Sequence, residues 1–367
     1  MRQRTLQPGE RIRVMVVDDS VVIRRLVTKS LEQDPALEVV GSASNGILGL
    51  QRIPQLNPDV ITLDIEMPGM DGLEMLRNIR QAYPNVRVIM FSTLTERGAA
   101  ITLEALSLGA DDYVTKASNE GSLGESMARL DRELIPKIKQ FFQLPGDRER
   151  RVAAVVPGNG HGTAVRKSFR GPTKVPQVVA IGSSTGGPAA LSAILPKLPA
   201  DFPLPILIVQ HMPPFFTRLL AERLSGSCAL NVQEAAHGTA VRPGTILIAP
   251  GDFHMRATTD HGHITVVMDQ APQENFCRPA VDVLFRSVNE AYSGAVLGVI
   301  LTGMGQDGLR GCEVLRASGA TILAQDEATS VVWGMPGAVA HAGIADKILP
   351  LNEFATEIVR VAERSCV

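Results

Sequence analysis

What this 367-residue chain lacks narrows its function before any motif is read. No apolar run approaches the roughly 20 residues that a membrane span needs, because Gly, Pro or a charge interrupts each candidate. No charge of one sign dominates either. Lys and Arg number 36 against 38 Asp and Glu, a net charge of −2, so no global basic field exists to hold a phosphate backbone. Aromatic residues are only 4%, too few for the stacking platforms that bind single-stranded nucleic acid. Cysteine is scarce as well: Cys228, Cys277, Cys312 and Cys366 lie far apart, with no C-x-x-C pair. That spacing suits neither a zinc cluster nor a small disulfide scaffold, and it fits a reducing compartment. Met1 to Glu10 is polar and carries no apolar signal core. These absences predict a cytoplasmic protein with no nucleic-acid partner and no membrane insertion.

What is present describes a globular chain: 45% hydrophobic and 20% charged residues can build a real core. The length exceeds one ordinary domain and predicts two. From Arg13 onward, continuous apolar runs (Val14–Val17, Val60–Leu63, Val86–Phe91) alternate with amphipathic segments such as Val21–Leu31, Gly72–Ile79 and Gly98–Leu108. Runs apolar on both faces are expected of buried parallel strands, so residues 12–129 read as a doubly wound α/β domain. Residues 130–173 begin as a charged helix tail and become rich in Pro, Gly and polar residues, the pattern of a flexible linker. Strand and helix patterns return in residues 174–365, a second, mainly parallel α/β domain. A short antiparallel hairpin is expected there between Thr245 and Met268.

Carboxylates cluster at the predicted strand ends of the first domain. Asp18 and Asp19 follow the first strand and Asp64 ends the third; Ser92 ends the fourth and Lys116 the fifth. In a parallel sheet these ends meet at one edge, beside the topological switch point. Three carboxylates there repel one another unless a hard cation such as Mg²⁺ sits among them. Taken singly, Asp19 could cap a helix and Asp64 could open a turn. Together, Val16-Val17-Asp18-Asp19-Ser20, Leu63-Asp64-Ile65-Glu66-Met67-Pro68-Gly69-Met70-Asp71-Gly72, Ser92 and Gly109-Ala110-Asp111-Asp112-Tyr113-Val114-Thr115-Lys116 resemble the receiver domain of bacterial response regulators, a flavodoxin-like fold. The resemblance implies that Asp64 accepts a phosphoryl group. It also implies that Asp19, Asp64 and the Glu66 carbonyl ligate Mg²⁺, that Asp18 holds a coordinated water, and that Ser92 and Lys116 contact the phosphoryl oxygens. Where many receivers carry Pro after the lysine, this chain has Ala117, so a cis peptide is less expected there.

In the second domain, Ile181-Gly182-Ser183-Ser184-Thr185-Gly186-Gly187-Pro188 matches G-x-S-x-G between a strand and a helix. Such a turn exposes one hydroxyl, here Ser184. It also suits a loop cradling a phosphate on backbone N–H groups. Two later strand ends supply His211, in Val209-Gln210-His211-Met212-Pro213-Pro214, and Asp307, in Thr302-Gly303-Met304-Gly305-Gln306-Asp307-Gly308. Parallel strands would bring Ser184, His211 and Asp307 to one edge, the spatial condition for a serine–histidine–aspartate triad. Taken alone, His211 could be structural and Asp307 an N-cap. The order Ser…His…Asp differs from the Ser…Asp…His of α/β-hydrolases. His261-Gly262-His263 reads as a turn.

These segments, with Ile248-Ala249-Pro250-Gly251-Asp252-Phe253-His254-Met255, Arg278-Pro279-Ala280-Val281-Asp282-Val283-Leu284-Phe285 and Trp333-Gly334-Met335-Pro336, resemble the catalytic domain of the chemotaxis protein-glutamate methylesterases. A receiver followed by this domain is that family's architecture. The resemblance implies Ser184 as nucleophile, His211 as general base and Asp307 as its orienting carboxylate. It also places the Met304 N–H at the oxyanion, with Thr185 in support, and implies no cofactor for the esterase chemistry. The implied reaction is hydrolysis of glutamate γ-methyl esters on chemoreceptors with release of methanol, together with deamidation of specific receptor glutamines, in chemotaxis adaptation. A chemotaxis histidine kinase is the implied phosphodonor. The expected regulation is a receiver that blocks the Ser184 edge until phosphorylation of Asp64 relieves inhibition. A response regulator with a DNA-binding output is disfavoured by the neutral charge and by the absence of a basic helix-turn-helix segment.

Overall fold

The computed structural model describes residues 4–7, 9–116, 123–143 and 173–363. Ala117 and most of the expected 130–173 linker lie outside the described residues. The chain divides into two compact units, Arg2–Thr163 and Ala164–Val367.

In the first unit, β1 (Ile12–Val17), β2 (Leu37–Ala43), β3 (Val60–Asp64), β4 (Arg87–Ser92) and β5 (Asp112–Thr115) form a parallel sheet in the order β2-β1-β3-β4-β5. Helices α1 (Val21–Leu31), α2 (Gly46–Leu56), α3 (Gly72–Ala82) and α4 (Glu96–Ser107) connect the strands, and α5 (Leu123–Lys139) follows them. Every residue of β3 and β4 is buried, as their apolar runs predict. Helix starts are fixed locally. Ser20, rather than Asp19, caps α1 by accepting from the Ile23 N–H, and Asp71 with Glu74 forms a capping box on α3. Asp19 is thereby left at the sheet edge. Strand order reverses between β1 and β3, so Asp18, Asp19 and Asp64 flank the switch point.

In the second unit, β6 (Val178–Ser183), β7 (Ile206–Gln210), β8 (Asn231–Glu234), β9 (Thr245–Ile248), β12 (Val296–Ile300), β13 (Thr321–Gln325) and β14 (Lys347–Leu349) form a seven-stranded sheet in the order β8-β9-β7-β6-β12-β13-β14, with every pair parallel. Strands β10 (His254–Asp260) and β11 (His263–Asp269) form a separate antiparallel hairpin. The helices are α6 (Gly187–Ile194), α7 (Phe216–Ser225), α8 (Val281–Ala291), α9 (Leu309–Ala317), α10 (Met335–His341) and α11 (Phe354–Glu363). The chain moves from β6 to β7 on one side and later to β12 on the other. The switch point therefore lies beside β6, and the loops after β6, β7 and β12 share one edge.

The hairpin differs in detail from its expectation. Thr245–Ile248 is a buried strand of the main parallel sheet, and the hairpin's first arm is His254–Asp260. That arm (HMRATTD) ends in exposed polar residues, so it offers no apolar run to read. His261 and Gly262 make the hairpin turn, both at positive φ.

Gly72 opens α3 against the end of β3, where an added Cβ would lie 2.2 Å from the Asp64 carbonyl oxygen. Gly72→Ala is expected to cost the first domain about 1–3 kcal/mol by overpacking. The check is a lower urea midpoint for that domain with the second domain's midpoint unmoved; coincident curves for variant and wild type would contradict the close approach.

Candidate active and phosphoryl-acceptor sites

The edge of the first sheet carries an acidic cavity of about 250 Å³, lined in part by Asp19, Asp64, Glu66 and Lys116. Lys116, just past β5, lays its ammonium 2.7 Å from Asp64 Oδ1 and 3.1 Å from Asp18 Oδ2. Burial and the charge of Asp18 push Asp64 up to about 6, against the hydrogen bond and charge of Lys116. Burial pulls Lys116 down, yet Asp64 and Asp18 hold it above the ordinary lysine value. Asp18, Asp19 and Asp64 offer oxygens within 4.8 Å of one another, and Lys116 is the cation set against Asp18 and Asp64. Three carboxylates against one ammonium, an all-oxygen donor set, fit a hard divalent cation.

Ser92 is buried, and its hydroxyl is engaged elsewhere. It accepts from Thr102 Oγ1 at 2.6 Å and lies 3.2 Å from the Gly98 carbonyl oxygen. The structure thus joins Lys116 to Asp64 and Asp18 but turns Ser92 toward α4. Asp111 and Asp112, in the motif that ends at Lys116, are structural. Asp111 binds Arg80 and Arg87, and Asp112 binds Lys137.

In the second domain, the turn from β6 into α6 admits only glycine at its tightest point. A Cβ on Gly187 would lie 1.9 Å from Gln210 Oε1, and Gly186 has φ +78°. Gln210 accepts from Ser183 Oγ at 2.7 Å and donates to the Ser184 carbonyl at 2.9 Å. The Ser184 N–H donates to the Thr302 carbonyl, and the His211 N–H to that of Ser183. Ser184 and His211 consequently leave from adjacent strand ends.

His211 Nε2 lies 2.8 Å from Asp307 Oδ2. Asp307 is almost fully buried, and five donors hold it. Oδ2 also accepts from the Val281 N–H at 2.7 Å, and Oδ1 accepts from the Asp282 N–H, the Gly308 N–H and Asn275 Nδ2. The backbone donors Val281 and Asp282 are the first residues of α8, so the carboxylate sits on that helix's positive end. Asp307 does not cap its own following helix: Gly308, at φ +93°, stands at the start of α9. Burial raises Asp307, but His211 and these amides outweigh it and hold the carboxyl below its ordinary value. Burial lowers His211, while Cys277 and Asp307 together raise it above 6.5.

With Nε2 committed to Asp307, Nδ1 is the ring nitrogen left to take a proton. It faces Cys277 Sγ at 3.7 Å, and no hydrogen bond joins it to Ser184 Oγ. Gly303 packs against Ser184, where its missing Cβ would lie 2.8 Å from Ser184 Cβ. The Met304 N–H has no acceptor among the described residues. Thr185 is buried behind the serine, its carbonyl accepting from Thr302 Oγ1 at 2.9 Å. His254, in the Asp252-Phe253-His254 segment, is structural, set between the Pro272 carbonyl and the Ala280 N–H.

Sequence reasoning missed Cys277, Asn275 and Gln210 at this site. Cysteine spacing drew attention only to metals and disulfides, whereas the usable signal was the position of Asn275 and Cys277 directly before the Arg278-Pro279 motif. Asp282 joins them: its Oδ2 accepts from Asn275 Nδ2 at 3.0 Å, and burial with the charge of Asp307 raises its pKa despite the Gly311 amide.

An ¹⁵N NMR titration of the His211 ring is expected to give a pKa above 6.5 that falls in Asp307→Asn, since removing the carboxylate withdraws support for the imidazolium. An Asn variant titrating where the wild type does would contradict the pairing.

Comparison with known proteins gives a consistent result for both domains. Residues 179–358 match the family model CheB methylesterase, and residues 14–128 match the response regulator receiver domain. A protein-glutamate methylesterase/protein-glutamine glutaminase of Trichodesmium erythraeum (strain IMS101) is 49% identical over 95% of this chain and 99% of its own. One from Nocardioides sp. is 51% identical over 96% and 95%. The crystal structure of the Thermotoga maritima CheB methylesterase catalytic domain covers 51% of this chain and 98% of its own, at 44% identity and a TM-score of 0.50. Among the described residues, no helix is long and apolar enough to cross a membrane.

Proposed function

The chain belongs to the CheB methylesterase family, and from that premise we propose that Ser184, His211 and Asp307 carry its chemistry while Asp64 governs it. It is a protein-glutamate methylesterase/protein-glutamine glutaminase under the control of a receiver domain. The observation that carries the residue assignment is the 2.8 Å contact between His211 Nε2 and the buried Asp307. It fixes the proton on Nε2 and presents the Nδ1 lone pair at the strand end next to Ser184.

Ser184 Oγ attacks the γ-carbonyl of a methylated glutamate as its proton passes to His211 Nδ1. Negative charge develops on the carbonyl oxygen, toward which the Met304 N–H donates; such a donor is worth about 3–4 kcal/mol. Collapse expels methanol, protonated by His211, and leaves the glutamyl group on Ser184. A water then loses its proton to Nδ1, attacks the acyl carbon and frees Ser184. Glutamine follows the same course with ammonia as leaving group. Asp307 stays ionised throughout and stabilises the imidazolium.

In the receiver, Asp64 is the proposed phospho-acceptor. Asp18, Asp19, Asp64 and the Glu66 carbonyl would hold Mg²⁺, which when bound offsets the charge of the phosphoryl oxygens. Lys116 already lies against Asp64. Ser92 would have to exchange its Thr102 and Gly98 partners for the phosphate, so phosphorylation would be felt at the start of α4. The phosphodonor is a chemotaxis histidine kinase, the substrates are methyl-accepting chemoreceptors, and the role is chemotaxis adaptation in the cytoplasm.

The Cys277 thiol is the other nucleophile within reach of Nδ1. Methanol release from methylated receptor membranes separates the two. Ser184→Ala is expected to lose at least about 10³-fold, whereas wild-type release by that variant would pass the nucleophile's role to Cys277. In the same assay Asp64→Asn is expected to keep its basal rate and lose activation by a small-molecule phosphodonor. Activation equal to wild type would refute the acceptor assignment.

A further inference from the structure

Beside the catalytic pair lies a feature the chemistry does not use. Residues 274–277 make a two-residue hairpin: the Glu274 N–H donates to the Cys277 carbonyl at 3.1 Å, and the Cys277 N–H returns to Glu274 at 2.9 Å. Its central residues, Asn275 (φ 53°) and Phe276 (φ 62°), both adopt the left-handed conformation. Turns of this kind favour Asn followed by Gly. Asn275 obeys the rule, whereas Phe276 stands where glycine would cost nothing, and a bulky residue at positive φ is strained.

The strain is held in place on every side. Glu274 makes a two-point ion pair with Arg286 at 2.8 and 2.6 Å. Asn275 donates to Asp307 and Asp282, Cys277 meets His211, and Arg278 clamps Asp252 with two hydrogen bonds. This framework leaves the Phe276 ring 96% exposed. The chain thus holds the backbone that carries an exposed aromatic side chain, one residue away from groups that touch His211 and Asp307.

The neighbouring loops repeat the pattern. Asp252 (φ 66°), tied to Arg278, precedes Phe253, which is 38% exposed, and Phe215 (φ 70°), after Pro213-Pro214, is 47% exposed. The first two loops are joined because Gly251 packs on the Pro213–Pro214 backbone and donates its N–H to Thr217 Oγ1. Phe276, Phe253 and Phe215 are thus three exposed aromatic side chains on segments tied to one another through Arg278–Asp252 and Gly251–Thr217.

We propose that Phe276 is a specificity-determining residue, receiving apolar side chains of the receptor protein that flank the ester-bearing glutamate. This rests on the methylesterase reading above. The occupant follows from position: a glutamyl side chain delivered to Ser184 brings the protein chain that carries it across the strand end where the 274–277 turn is bonded to His211 and Asp307. An exposed apolar ring on a turn whose backbone is already held binds without the cost of ordering that turn, which is the use to which exposed aromatic anchors are put.

The test uses the full chain, activated with a small-molecule phosphodonor, on methylated receptor membranes and on p-nitrophenyl acetate. Phe276→Ala is expected to raise KM for the membranes about five- to ten-fold, the size of a moderate anchor residue. The kcat for the membranes and the rate on the small ester are expected to stay near wild type, and Phe276→Leu to recover part of the loss. An unchanged KM would overturn the proposal. So would an equal loss on both substrates, which would mean that the turn serves only to position His211. A rise in unphosphorylated activity without a change in KM would assign the ring to this chain's own receiver and overturn it too. A wild type that cleaves the small ester but releases no methanol would instead remove the methylesterase reading, and the inference with it.

Discussion

One buried carboxylate organises the catalytic domain. Removing a charge such as Asp307 from water is costly, and the chain offsets that cost with five donors drawn from separate elements: an imidazole, an asparagine, two amides at the start of α8 and the following glycine amide. Each donor is thereby fixed in space. The imidazole has its tautomer set, α8 has its N-terminus satisfied, and the 274–277 turn is pinned through Asn275. Capping, turn geometry and catalysis are therefore the same set of bonds.

The two domains solve a similar problem with opposite electrostatics. Both place their chemistry at strand ends beside a switch point, the position an open parallel sheet leaves uncovered. In the receiver, three carboxylates cluster around one ammonium, leaving Asp64 raised, a state that invites a second cation. In the catalytic domain, the carboxylate is saturated with donors and holds below its ordinary value. The contrast suits the roles proposed for Asp64 and Asp307, since a phospho-acceptor must change its charge and partners whereas an orienting carboxylate must not.

Much of this was legible in the sequence. Continuous apolar runs such as Val178–Ile181 and Val296–Leu301 gave the central strands because strands buried on both faces have no polar alternation to hide them. Ser184 and His211 were readable because each lies within three residues of such a run, and Asp307 because it closes the Gly303–Gly308 turn after another. Illegible were residues whose role depends on partners distant in the chain. Cys277 and Asn275 lie in a polar loop with no periodicity, and nothing local reveals that they face His211 and Asp307. Asp307 itself looked like a cap for the helix that follows it, when the helix it caps begins at Val281. The arm His254–Asp260 was hidden for a simpler reason: its buried residues, His254, Met255 and Ala257, are interleaved with polar ones and form no apolar run.

The proposal that Asp307 holds Nε2 of His211 so that Nδ1 serves Ser184 is tested by a crystal structure of the protein inactivated by a fluorophosphonate. Expected are phosphorus bonded to Ser184 Oγ, the phosphonyl oxygen on the Met304 N–H, and His211 Nε2 still on Asp307. An adduct on Cys277, or an imidazole turned so that Nδ1 meets Asp307, would contradict it.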